Sequence, residues 1–123
     1  MDFDATRPIY LQIIDLHKRA LITGELKPGD KILSQRDFAQ RYNVNPNTVQ
    51  RAYREMEALD LVETLRGQGT FIAVTEEMLD TMKKDTARSI LDSFVREMKT
   101  LGFSLQQALE LAQQAWHEEE GRL

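Results

Sequence analysis

Cysteine is absent from the 123 residues, so neither a disulfide framework nor a thiol site is available. Histidine occurs only at positions 17 and 117, and no cluster of metal ligands accompanies either one. That scarcity excludes a zinc site and a Ser-His-acid arrangement, and neither a cofactor nor a metal is expected. No apolar run approaches the length of a membrane span, so no membrane partner is expected. The opening MDFDATRP is acidic where a signal peptide would be basic, and a cytoplasmic location follows as the expectation. Glycine is sparse, and its one dense stretch, Gly67-Gln68-Gly69, leads into a strand-like run. A phosphate loop would instead open a helix, so no enzyme is expected.

Cations are in the minority, with 16 Lys/Arg against 20 Asp/Glu and a formal net charge of −4. Their placement is uneven. Residues 1–74 hold ten of each sign, while residues 75–123 hold six cations against ten acids. From Ser34 to Arg54 there are four Arg against one Asp and no Glu. The field that a polyanion meets is local, so this segment can be basic in a protein that is acidic overall. An apolar fraction of 41% at this length allows one modest core and an appendage.

The run from Ser34 to Ile72 carries the most information. Ser34 suits a helix N-cap with Asp37 three residues on, and Phe38, Ala39 and Tyr42 give that helix one apolar face. Asn43 tolerates the left-handed conformation that ends a helix, and Val44 plugs the corner. Asn45-Pro46 then caps and starts a second helix. Val49, Ala52, Tyr53, Met56 and Leu59 recur at three- and four-residue spacing and face a core. Asn47, Thr48, Gln50, Arg51 and Arg54 remain on the first turn and outer face. Short polar groups and flanking cations are what a helix in a DNA major groove needs, although a solvated helix face has the same look. Next, Leu61 to Leu65 and Thr70 to Val74 read as a hairpin turned by Arg66-Gly67-Gln68-Gly69. A cation at that tip suits a wing on phosphate or in a minor groove.

Before this run, Pro8 to Thr23 reads as a helix with Tyr10, Ile13, Ile14, His17 and Leu21 inward. His17 reads as a half-buried helix residue rather than a ligand, and Lys31-Ile32-Leu33 can form a short strand beside the wing. After Val74, Thr75 caps a long helix to about Leu101, and Gly102 stops it. Ser104 with Gln107 forms a capping box for a last helix, with Leu105, Ala108, Leu109, Ala112, Ala115 and Trp116 inward. Two helices cannot enclose that much apolar surface, so a helix–helix interface is expected, chiefly Ile90, Leu91, Phe94, Met98 and Leu109 of a homodimer. Met78, Met82, Phe94, Met98 and Trp116 read as interface core; the alternative is that they line a small apolar pocket for a small-molecule effector.

The motifs KPGDKIL, SQRDFAQRYNVNPNTVQRAYREMEALDLV and RGQGTFI resemble, in order and without gaps over residues 8–74, the winged helix-turn-helix domain of GntR-type transcription regulators. The short two-helix tail resembles that of the YtrA-type subgroup, whose members are compact dimeric repressors, often of transporter operons. The resemblance implies DNA contacts at Arg36, at Asn45, Pro46, Asn47 and Thr48, at Gln50, and in the wing at Arg66, Gly67, Gln68 and Gly69; Ser34 and the outer-face cations Arg51 and Arg54 are further candidate DNA contacts. Leu33 stands where the family usually has Pro, Gln35 where it has Glu, and Arg is lacking near Pro46 and at Gln50. These departures bear on the operator sequence, not on the fold.

The expected fold is therefore mainly α with a small β-hairpin. A winged helix-turn-helix domain over 1–74 precedes a two-helix dimerisation tail over 75–123. The expected function is sequence-specific repression at a palindromic operator in double-stranded DNA. The alternative is a winged-helix module for protein–protein contact, which would show little DNA affinity and no salt dependence.

Overall fold

The structure is a computed structural model that describes residues 3–122; Met1 and Asp2 of the acidic opening lie outside the described residues. The elements run α1 (Ile9–Thr23), β1 (Lys31–Ile32), α2 (Gln35–Tyr42), α3 (Pro46–Ala58), β2 (Val62–Leu65), β3 (Gly69–Ile72), α4 (Glu76–Thr100) and α5 (Leu105–Glu120). This is the mainly helical winged fold expected from the sequence. The chain forms two compact units, one ending at Lys83 and the other starting at Lys84.

In the first unit α3 is the hub, with α1, α2 and β2 all packed on it. Its inner residues Val49, Ala52, Tyr53 and Met56 are buried, as their spacing requires, whereas Leu59 at the end of the stripe is exposed. Ile13, Ile14, His17 and Leu21 of α1 and Phe38 and Ala39 of α2 complete the helical side of the core. The sheet order is β1-β3-β2, antiparallel throughout, with Lys31 opposite Phe71 and Thr64 opposite Thr70. Ile32, Val62 and Ile72 turn one face of it onto the helices.

Local chemistry ends each helix where the sequence suggests. Ser34 Oγ accepts from the Asp37 amide at 3.1 Å, and Asn45 Oδ1 from the Asn47 amide at 2.8 Å. Asn43 takes φ 52 beyond α2, and the Val44 amide donates to the Ala39 carbonyl. Asp60 plays the same part after α3 with φ 58, a left-handed residue that its sequence context did not single out. Ahead of α1, the Gln12 side chain holds the Asp4 amide and carbonyl, and Phe3 meets the Tyr42 ring edge-on at 6.3 Å.

The first unit runs past the expected boundary at residue 74. Thr75 caps α4, and Met78, Leu79 and Met82 pack against the winged core. The second unit holds the rest of α4, the left-handed Gly102 and α5 with its full capping box at Ser104 and Gln107. Its apolar side chains were expected to point inward on α5. Among its described residues, however, only Ala108 is buried, while Leu105, Leu109 and Trp116 are 77%, 52% and 71% exposed. On α4, Ile90 and Leu91 are exposed and Phe94 and Met98 half-buried. A helical hairpin has too few elements to cover its own apolar stripe within one chain.

His17 gives the winged core a pH response. Its ring is 6% exposed, Nδ1 donates to the Ile13 carbonyl at 2.8 Å, and Phe38 and Tyr53 flank it. Burial pushes its pKa below the usual value of 6.5. The unfolded chain then binds a proton that the folded chain refuses, so this part of the stability is full above that value and is lost as pH falls below it. Thermal unfolding should show Tm dropping as pH is lowered through this range. His17→Phe, which keeps the aromatic contacts, should remove that component and leave only the carboxylate losses at more acidic pH.

Candidate nucleic-acid interface

The start of α3 presents Asn45, Pro46, Asn47 and Gln50 exposed, with Thr48 half-buried. Asn45 is occupied as the helix cap, so its side-chain oxygen is already bonded to the backbone. Asn47 and Gln50 have no such engagement among the described residues, and Arg54 follows one turn later without an ion pair. Arg51 differs. Its guanidinium lies over the Tyr10 ring of α1, 3.8 Å from the centroid. The cation is held flat against α1 at the flank of the exposed face.

Across the sheet, the hairpin tip carries Arg66, Gly67 and Gln68 exposed. Gly67 has φ 79 and the Gln68 amide donates to the Leu65 carbonyl, which closes the turn. The wing is tied to α3 by a chain of side chains. Thr70 is buried and its Oγ1 lies 3.2 Å from Thr64 Oγ1, which in turn donates to the Glu57 carboxylate. Since that hydroxyl gives its proton to Glu57, Thr70 is the donor in the first bond.

Structure groups these residues differently from their order in the chain. Ser34 and Arg36 at the start of α2 and Arg66 to Gly69 of the wing line one open groove of about 1100 Å³. Its floor includes Leu16, Leu26 and Phe38. The α3 positions stand outside it. Lys31 and Arg41 also reach the groove, and neither is among the DNA contacts expected from the sequence. The signal in Lys31 is a cation on a strand expected beside the wing; Arg41 counts only among the four Arg of the basic segment.

Comparison with known proteins decides the family. Residues 9–72 match the model of bacterial regulatory proteins of the gntR family. The chain belongs to the GntR family. It is 50% identical over 108 residues to the HTH-type transcriptional regulator YhcF of Bacillus subtilis, covering 88% of this chain and 89% of that one. It is 38% identical over 99 residues to the HTH-type transcriptional repressor YtrA of the same organism, covering 76% of each. Among solved structures, a GntR family transcriptional regulator from Listeria monocytogenes superposes with a TM-score of 0.81 at 33% identity, over 91% of this chain and 98% of that one. This GntR-family protein is accordingly a DNA-binding transcription regulator and not an enzyme. No helix among the described residues is long and apolar enough to cross a membrane.

The Arg51–Tyr10 stack should be measurable. Such pairs contribute about 0.5–1 kcal/mol at exposed sites. Denaturant unfolding of wild type, Arg51→Ala, Tyr10→Leu and the double variant should return a coupling energy of that size. Additive losses would mean that the guanidinium is free in solution.

Proposed function

We propose that this regulator represses transcription in the cytoplasm, binding a palindromic operator as a homodimer. The observation that carries this reading is the pairing of two surfaces on one chain. One is the exposed polar start of α3 beside a cation-tipped wing. The other is the exposed apolar stripe of the second unit, Ile90, Leu91 and Leu109, with Phe94 and Met98 half-covered. A winged domain whose residues 1–74 balance in charge makes few phosphate contacts, and one copy alone would bind only weakly. Two copies held at a set spacing combine their affinities on a two-fold site, because the second half-site is met at high effective concentration. A second copy of the chain is what the apolar stripe would bury.

In this reading α3 enters the major groove with Asn47, Thr48, Gln50 and Arg54 toward the bases and phosphates. Ser34, Arg36, the Asn45-Pro46 turn and the wing from Arg66 to Gly69 hold the backbone. Arg51 acts through its stack on Tyr10 and offers the outer edge of its guanidinium to phosphate. Asn and Gln suit adenine, so the half-site should have more A·T character than an arginine at position 50 would select.

Two measurements test the two surfaces. On the operator, recovered from genomic fragments that the protein retains, Gln50→Ala should cost about 1–3 kcal/mol, with a smaller loss on mixed-sequence DNA. Equal losses on both would show that Gln50 positions the protein without reading sequence. For the tail, Phe94→Asp would bury an unpaired carboxylate, a change costing about 3–5 kcal/mol in comparable buried settings. Sedimentation should then give a monomer where wild type gives a dimer, with preference for two half-sites over one lost. A Phe94→Asp protein that still sediments as a dimer would move the interface elsewhere.

A further inference from the structure

The geometry points to Lys31 as a phosphate-contacting residue, in a groove between α2 and the wing that takes one phosphodiester strand of the bound duplex. This rests on the DNA-binding reading above and adds to it a strand path and a residue outside the set implied by family resemblance.

Lys31 leaves β1 opposite Phe71 and its side chain runs across Gly69, where the wing returns. A Cβ at position 69 would lie 2.6 Å from Lys31 Cε and 3.3 Å from Nζ, so the lysine stem lies directly over the glycine and would have to shift for any other residue. Gly69 has φ 130, a conformation that other residues rarely adopt, and this backbone requirement selects glycine there. Lys31 is exposed, and its ammonium lies at the foot of the wing.

Four cations border the groove: Lys31, Arg36, Arg41 and Arg66, against the acids Glu25 and Asp37. None of the four is in an ion pair among the described residues, although the chain carries 20 Asp/Glu. Convergent cations with no internal partner, in a protein of net charge −4, call for an external polyanion. The groove also spans from the start of α2 to the wing tip, the two places where the proposed function sets the DNA backbone. Its occupant is then continuous with the duplex, which favours a strand over a free phosphorylated metabolite.

The test is a salt titration of binding to a fluorescein-labelled duplex of mixed sequence, since phosphate contacts dominate there and no operator is needed. Wild type, Lys31→Ala, Lys31→Arg and Arg66→Ala are compared after circular dichroism and thermal unfolding show each to be folded. Lys31→Ala should lower the slope of log Kobs against log salt by about one unit per protomer, and Lys31→Arg should restore it. A wild-type slope for Lys31→Ala beside a lowered slope for Arg66→Ala would overturn the Lys31 contact and leave the wing reading standing. Wild-type slopes for both would overturn the wing reading itself. Calorimetry with inorganic pyrophosphate supplies the other arm. Binding that Lys31→Ala abolishes while the DNA slope stays at the wild-type value would assign the groove to a free anion and overturn the strand path.

Discussion

The Tyr53 hydroxyl donates to the Leu33 carbonyl at 2.6 Å, and the arrangement of the winged unit depends on that contact. Tyr53 is a buried α3 residue whose ring packs against Phe38 and His17, so it belongs to the core. Its one polar atom must still find a partner, because a buried hydroxyl without one costs about 1–3 kcal/mol. The partner lies in the link from β1 to α2. Sliding α3 along α2 would break the bond and open the core together, so helix position and capping geometry are coupled. Burial also pushes the tyrosine pKa above its ordinary value, which favours the neutral, donating hydroxyl.

From that fixed helix the other elements of the proposed DNA interface take their places. The Asn45 cap sets the start of α3, the Thr70–Thr64–Glu57 chain sets the wing against its far end, and Arg51 leans on α1. Each tie joins a proposed contact position to a neighbour whose own location the core determines. Asn47, Gln50, Arg54 and Arg66, without side-chain partners among the described residues, stand on that frame, which under the proposed function lowers the ordering cost of binding.

Charge and hydrophobicity are unevenly placed along the chain. Residues 1–74 are neutral in formal charge, yet their cations are gathered on the α2–α3 segment and the wing. Residues 75–123 carry the excess acid, and the second unit bears apolar side chains it cannot cover by itself. Under the dimer reading that excess is no defect. An acidic tail stays off the DNA, and an uncovered stripe supplies the drive for pairing.

Much of this was legible in the residue order, because its signals are local. Helix spans, the Ser34, Asn45 and Ser104 caps, the Gly67 and Gly102 turns and the inner stripe of α3 follow from neighbours within four or five positions. The motif run from 8 to 74 likewise identified the family, since the domain is written continuously in the chain. What only the tertiary structure decided involves partners far apart in sequence. Tyr10 and Arg51 lie on different helices, and neither identity nor spacing announces their stack. Lys31 and Gly69 meet through the β1–β3 pairing, and the groove joins α2 to the wing while leaving α3 outside. The Tyr53–Leu33 bond spans twenty residues. Periodicity reports which face of an element is buried; which atoms meet across that face depends on how the elements are set against one another, and only packing determines that.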